Sequence, residues 1–510
     1  MNVITNSRTK KAFRNSSVAL LGQGVSLICS FILPRLILTN FGSNYNGITT
    51  SISQFIECVV LLRAGVGGVT RAALYRPLVE HDVVRINGII NATQCFMRKV
   101  AFLFAIGLFV FACIYPFFVV KEFDWLFTST LVLILGISTF AQNYFGITYQ
   151  ILIEADQKSY IYTLLSIIST ILNTVFAVLL INYGAGIHIV KLGSAIAFSI
   201  NPLMLFFYVK KAYHLDSSIP QDISAIRQRW DAFAQQVATF ITSNTSIIVL
   251  TIFTNLSEVS VYSVYYLIAG RLTILVQTFT NGIDAAFGNI LAKQESQALQ
   301  DNFRVYEQLL FTISTFAFGC AMFLIEPFIM VYTKGVNDVE YSRIFFGMLL
   351  CFNQFLFCIR LQYQMITYTA GHFKQTRNGA IFEAIMNIMV SIVLTIYFGL
   401  IGVAIGSFCA YSFRTFQYAL YSSKNILRRS IWTVLKLLTV SIIELVITFI
   451  LFQIIKHLSF FHVINGYAKW TILAICIATV HGTIIIFFSL IFFRKQFRMM
   501  LEKILFALKK

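Results

Sequence analysis

Charge is scarce in this sequence. Asp, Glu, Lys and Arg make up only 12% of its 510 residues, where a soluble domain carries about 25%. A chain so poor in charge and 58% hydrophobic cannot cover a water-soluble globule with polar surface, so it reads as a polytopic membrane protein. Acidic residues are scarcer than basic ones, 21 against 39, for a net charge of +18. In a soluble chain that excess points to nucleic acid; here the bias of basic residues toward one membrane face accounts for it, and nucleic acid is excluded as a partner. The nine cysteines are scattered through apolar runs with no CxxC, which excludes a disulfide framework and a thiolate metal site. The seven histidines lie mostly in loops, and His481 is alone in an apolar run. No glycine-rich phosphate loop follows a strand and no HExxH occurs, so neither ATP hydrolysis nor zinc-dependent hydrolysis is expected. A cleavable leader is not expected either: Met1 to Arg14 is polar and basic, and the first apolar run exceeds an h-region.

What is abundant is long apolar runs. At about 20 residues per crossing, fourteen helices are expected, at 15–40, 46–69, 96–119, 125–152, 160–183, 186–209, 232–256, 259–290, 307–333, 341–369, 376–398, 400–421, 434–456 and 469–493. With the N-terminus inside, the inner loops collect nearly all the basic residues, from Arg8, Lys10, Lys11 and Arg14 to Arg428, Arg429 and the basic tail. The outer side receives only Lys121, Lys191, Lys334, Arg343, Lys456 and Lys469. That asymmetry predicts N-in, C-in topology and an even span count. All loops are short. The inner ones at about 71–95 and 210–231 have room only for an interfacial helix. After Phe493 the apolar residues Phe497, Met500, Leu501, Ile504, Leu505 and Leu508 alternate with basic ones, the pattern of a helix lying on the membrane surface.

The chain repeats itself. LTNFGS at Leu38–Ser43 returns as FTNLSE at Phe253–Glu258, Tyr115-Pro116-Phe117 as Glu326-Pro327-Phe328, Leu172-Asn173 as Met386-Asn387, and Gly193-Ser194 as Gly406-Ser407, all at offsets of 211–215. A six-helix unit therefore occurs twice, and its even span number makes the two copies parallel. The expected fold is an all-α integral membrane protein: bundles at 1–214 and 215–430 forming a V-shaped pair, then helices 13 and 14 with the tail at 431–510.

Two facing bundles enclose a cavity whose lining should show as polar stripes at helical spacing. Helix 2 carries Thr50, Gln54 and Glu57; helix 7 Gln235, Thr239, Thr242 and Ser246; helix 8 Arg271, Thr278 and Asn281; helix 10 Asn353, Arg360, Gln364 and Thr367; helix 12 Ser407, Tyr411 and Arg414. Single Ser and Thr residues are more often helix glue than lining. The charges are more specific. A mid-membrane charge costs roughly 2.5–3.5 kcal/mol even on a lenient scale, so each needs an answer. Glu57 and Arg271 occupy matching repeat positions, 214 apart, and are expected to answer each other across the cavity. Arg63, Arg360 and Arg414 lie in the inner halves of their spans. Guanidinium forks bind phosphate bidentately, so this set suits a diphosphate head group. Arg35 and Arg63 are also near enough to helix ends to snorkel. Glu383 and Asn387, one turn apart on helix 11, suit Na⁺ or a proton as coupling ion; the bland alternative is an ion pair of Glu383 with Arg360 or Arg414. Glu444, central in helix 13, has no assigned partner.

The FGS-x-x-x-G turn at Phe41–Gly47, the SISQF that follows, the glycine-rich end of helix 2 and ALYRPL at Ala73–Leu78 resemble bacterial polysaccharide-biosynthesis membrane proteins, the Wzx-type oligosaccharide-lipid flippases of the MOP exporter superfamily. Ala269-Gly270-Arg271-Leu272 is similar to the A-x-R-L of lipid II flippases, where the arginine faces the cavity. The resemblance implies a bacterial inner-membrane protein that moves an undecaprenyl-diphosphate-linked oligosaccharide from the cytoplasmic to the periplasmic leaflet by alternating access. It implies H⁺ or Na⁺ coupling, no cofactor beyond that ion, and pathway partners such as a polymerase and chain-length proteins. Pro34 and Gly65–Gly68 are expected bending points. The alternatives are a multidrug exporter of the same fold, which would favour acids and aromatics over five intramembrane arginines; a lipid II flippase; and a polymerase or ligase, for which no outer loop is long enough.

Overall fold

Hydrocarbon offers no water to backbone N–H and C=O groups, so a chain that crosses a membrane many times must close its hydrogen bonds inside each segment. The structure, a computed structural model, describes residues 2–60, 66–213, 215–223, 244–280, 283–456, 466–499 and 502, and their regular structure is helical throughout. The helices are α1 (Asn2–Asn40), α2 (Ser43–Val60), α3 (Val66–Glu80), α4 (Val83–Ile114), α5 (Trp125–Ala141), α6 (Ile147–Ala155), α7 (Ser159–Asn182), α8 (Ile187–Tyr213), α9 (Asn244–Phe253), α10 (Leu256–Thr278), α11 (Ile283–Ala292), α12 (Ser296–Tyr332), α13 (Ile344–Thr369), α14 (Phe373–Phe398), α15 (Leu400–Asn425), α16 (Trp432–Lys456) and α17 (Tyr467–Phe492). A five-residue π-helical segment, Gln142–Gly146, joins α5 to α6.

Among the described residues, eleven helices are long and apolar enough to cross a membrane. Three expected spans are not among them. Expected span 2 survives as the 18-residue α2, and the first half of span 7, up to residue 243, lies outside the described residues. Span 12, α15, is 26 residues long but carries Arg414, Gln417 and several hydroxyls that lower its hydropathy. The repeat is visible in the helices themselves: α7 and α14 start at Ser159 and Phe373, 214 residues apart, and α8 and α15 at Ile187 and Leu400, 213 apart.

Several expected boundaries move. Helix 3 begins at Val83 rather than 96, so the expected loop 71–95 is largely helix, α3 followed by a tight turn. Asp82 starts α4 as its N-cap, its side chain accepting from the Arg85 backbone N–H at 3.0 Å. The polar first turns of α4 extend beyond the apolar run, and hydropathy does not register them. For the same reason α12 begins at Ser296 rather than 307. Expected span 8 stops at Thr278 and resumes at Ile283. Helix α1 runs on through Pro34. The tail helix is described only in part: Phe497 is buried against Val305, while Met500, Leu501, Ile504, Leu505 and Leu508 lie outside the described residues.

By internal packing the chain divides into two units, 1–260 and 261–510. This division follows contacts, whereas the boundary near 214 follows the repeat. In the first unit a core of Ile48, Ile52 and Ile56 from α2 packs on Phe104 and Leu108 of α4 and on Leu131 and Val132 of α5. A polar seam ties α2 to the 244–260 segment. Asn46 donates to Ser260 Oγ at 2.9 Å, Ser51 and Thr251 share a 2.8 Å bond, and Tyr115 donates to Ser51 at 2.7 Å. Gly47 permits this closeness, since a Cβ there would stand 1.9 Å from the Leu256 carbonyl oxygen. In the second unit α13, α14 and α15 pack together, and α12 packs with α16 and α17. Apolar side chains turned away from these cores, such as Phe102, Ile106, Phe109 and Val110 of α4, are exposed at helical spacing and form the lipid-facing surface.

Gly47→Ala is expected to lower thermal stability by about 1–3 kcal/mol, the usual cost of overpacking. Gly24→Ala, where nothing lies within 4 Å of the added Cβ, is expected to cause no loss. Detergent-solubilised melting curves of the two variants check this; equal curves would dismiss the seam as a constraint.

Candidate functional site

Each unit has a polar interior. In the first, a cavity of about 240 Å³ opens among α1, α2, α5, α7 and α8, lined by Glu57 and Ser53 of α2, Ser138 and Thr139 of α5, Asn173 of α7 and Lys191 of α8. Ser53 and Glu57 are one helical turn apart and so share a face. Lys191 was expected on the outer side; it lies one turn inside α8 and is only 9% exposed. Asn173 is buried with its Oδ1 unbonded. Glu57 reaches the same cavity with an exposed side chain. Opposite charges thus share one chamber without forming a direct ion pair. Gln54, expected to line the cavity, instead donates to Asn244 Oδ1 within the polar seam.

In the second unit the charges meet directly. Glu383 of α14 accepts from Arg360 Nη1 of α13 at 2.6 Å and lies 3.3 Å from Arg414 Nε of α15. Arg414 also donates to the Thr376 carbonyl at 2.9 Å, to Gln417 Oε1 at 2.5 Å and to Tyr418 at 2.7 Å. Arg360 lies over the Phe357 and Tyr411 rings. All three charged side chains are buried. The ion pair weighed against a coupling-ion site at Glu383 is therefore present, and both expected cavity arginines take part in it. Asn387, one turn on, accepts from Ser391 at 3.1 Å. Two guanidiniums on one carboxylate leave this buried cluster with an excess of one positive charge. Among the described residues no group of three or more His, Cys, Asp or Glu could hold a metal.

The remaining expected residues are dispersed. Asn353 of α13 is buried and donates to the Ala404 carbonyl at 2.8 Å. Gln364 is half-buried on α13, Arg271 half-buried on α10 and Arg35 half-buried on α1. Arg63, Gln235, Thr239, Thr242 and Asn281 lie outside the described residues. Glu57 and Arg271 belong to different units. A second buried cluster escaped the sequence. Glu307 of α12 accepts from Tyr363 at 2.6 Å and from Arg429 Nη1 at 2.7 Å, so Arg429, expected as a loop charge, is a structural clamp. Its signal was present in the acid at position 307, at the edge of an apolar run.

The chain is a multi-pass helical membrane protein, and its fold is similar to that of MOP-superfamily transporters. It matches a lipid II flippase, MurJ in an inward closed conformation, with a TM-score of 0.70 and 16% identity over 94% of this chain and 98% of that one. An inward-facing multidrug resistance MATE family transporter of the MOP superfamily matches with a TM-score of 0.55 and 13% identity, covering 80% of this chain and 94% of that one. A Vibrio cholerae MATE transporter matches with a TM-score of 0.55 and 14% identity, over 84% and 100%. At these identities the likeness is one of fold, with about fourteen membrane helices. No family model matches the chain, and no curated protein matches it.

Removing one partner of a buried ion pair strands the other and typically costs about 3–5 kcal/mol. Glu383→Ala strands two guanidiniums. It is expected to destabilise the protein by at least that amount, and a thermal melt in detergent shows it. Glu57→Ala, which breaks no direct pair, is expected to melt close to the wild type. A Glu383→Ala melt unchanged from the wild type would remove the cluster's structural role.

Proposed function

We propose that this transporter is a flippase for a polyprenyl-diphosphate-linked saccharide, working by alternating access. The observation that carries the proposal is the reach of the fold likeness. The lipid II flippase is matched over nearly the whole of both chains, whereas the MATE transporters match over a smaller share of this chain and with lower scores. The charge supports it as well: buried positive excess in the second unit attracts a diphosphate and opposes a cationic drug. Between the two saccharide-lipids, the likeness to a lipid II flippase favours lipid II over the oligosaccharide repeat unit that the sequence motifs imply. On this reading Arg271 is the bidentate donor to the diphosphate, and Arg360 and Arg414 add to the positive field within the same unit. The end of the chain rich in Arg and Lys faces the cytoplasm, as the distribution of charge requires. Net transport is driven by H⁺ or Na⁺. Polymerase and chain-length proteins are partners only if the cargo is a polymer repeat unit.

The test is translocation in proteoliposomes, with lipid II and a polyprenyl-diphosphate oligosaccharide assayed separately, for wild type and Arg271→Ala. Insertion of both proteins is verified first. Wild-type flipping of either lipid, reduced at least about tenfold in the variant, a loss of roughly 1.4 kcal/mol or more, is the expected result, and the lipid that moves faster names the cargo. Equal flipping by both proteins discards Arg271. Efflux of a cationic dye with no lipid movement replaces the proposal with a drug exporter.

A further inference from the structure

Glu444 stands near the middle of α16, outside both repeats, and no part of the site above uses it. It is 4% exposed. Three helices of the second unit surround it. On its own helix Ser441 lies one turn before it and Thr448 one turn after. From α12 come Gln308, Thr312 and Thr315, a stripe at helical spacing. From α17 comes Ser489, with His481 two turns deeper. A chamber of about 10 Å³ touches Glu444, Gln308, Thr312, Thr315, Ser441 and Ser489, and a chamber of this size is just large enough for one water. Gln308, Leu437 and Phe493 also border a cavity of about 360 Å³ at the basic end of the same helices, where Arg304 and Lys436 stand. The two cavities share Gln308, Leu437 and Phe493 in their walls, which marks a track inward from that wide mouth to the chamber at the carboxyl group, with Gln308 as the polar member of the shared wall.

Beyond Glu444 the track closes. Thr315 donates to Ser441 Oγ at 3.0 Å. His481 Nε2 lies 3.0 Å from the Thr315 carbonyl and Nδ1 2.7 Å from Thr448 Oγ1. A carbonyl only accepts, so Nε2 carries a hydrogen, while Thr448 Oγ1 also reaches the Glu444 backbone carbonyl at 2.7 Å, tying the ring to the turn that bears the acid. The ring fills the space over Gly319, where a Cβ would come within 2.2 Å of Nε2. His481 is completely buried. The charged and titratable groups facing Glu444 are few. Arg304 and Glu307 of α12 and Lys436 of α16 stand at the mouth, with Glu307 already held by Arg429. From α17 there is His481, at the closed end. No ion pair to Glu444 is formed among the described residues. A carboxylate at such depth without a counter-ion costs far more than it gains, and a carboxyl group escapes that cost by taking a proton.

We infer that Glu444 is a proton-binding site, loaded from the basic end of α12, α16 and α17, and that this is the ion the transporter couples to. The exchange is simple: a hydronium in the chamber gives its proton to a Glu444 carboxylate oxygen and remains as water, and release reverses the step. The word "couples" rests on the function proposed above; the proton site itself does not. The site also lies on helices other than the one bearing Glu383 and Asn387, so a coupling ion is available while Glu383 stays in the ion-pair cluster and Asn387 keeps its bond from Ser391.

Infrared difference spectroscopy on the reconstituted full-length chain tests the site. A protonated-carboxyl stretch that titrates with buffer pH, shifts in deuterated water and disappears in Glu444→Gln is expected. Glu444→Asp should restore the stretch at a displaced frequency, which guards against a folding defect. A stretch that neither titrates nor exchanges, or one that persists in Glu444→Gln, overturns the inference. In the flipping assay, Glu444→Gln is expected to retain downhill movement and lose its response to an imposed pH gradient; a full gradient response in the variant overturns the coupling. If the wild type moves no lipid while the titrating stretch is intact, the flippase reading fails and the proton site stands. If lipid moves and the stretch is missing, the proton site fails and the flippase stands.

Discussion

A charge inside a membrane protein has to be met by something, because hydrocarbon does not solvate it. Much of this chain's interior can be read as a set of answers to that demand. Glu383 is met by two guanidiniums, and the three residues come from α13, α14 and α15, so neutralising one carboxylate also fixes which three helices are neighbours. Glu307 is met by Arg429 and Tyr363, which draws the segment between α15 and α16 onto α12 and α13. Glu57 and Lys191 are met by a cavity: neither touches the other, yet each faces a chamber that hydroxyls and an amide make polar. The answers differ in consequence. A direct pair is rigid and costly to break, whereas a shared cavity leaves both charges available to a third party.

The order of the spans and their repetition were legible because hydropathy and short motifs are local properties. Four short matches at offsets of 211–215 point to two copies of a six-helix unit, and the starts of α7 and α14 and of α8 and α15 fall in the same range. The ends of the helices were not legible. Val83 to Met97 and Ser296 to Arg304 are helical yet mix polar with apolar residues, and Asn87, Ile89, Thr93 and Phe303 among them are buried against the protein, which a hydropathy run does not register. Lys191, near the start of an apolar run, is carried by one turn of α8 into the bundle, and hydropathy could place it on the span but not show its burial.

Pairing was the least legible level. Glu383 is 23 positions from Arg360, and Glu307 is 122 from Arg429. No spacing rule relates such residues, because the contact is decided by how helices stack. The sequence could say that Glu383 has two basic candidates nearby in the fold; it could not say that both would be used. The same limit holds for Glu444. Its oddity, an acid in the middle of an apolar helix, is obvious in the sequence, while the stripe on α12 and the histidine on α17 that give it a setting become a site only when the three helices are brought together.

The cluster in the second unit carries one positive charge more than it neutralises, and Arg360 Nε is buried without a hydrogen bond. For stability alone this is a poor arrangement. Well-packed apolar residues of similar volume commonly serve as well as a buried ion network or better, and a one-to-one pair would at least be neutral. On the function proposed above, the surplus suits an anionic cargo, whose diphosphate would be drawn toward this unit by its field. A cationic cargo would find the same surplus opposed to it throughout.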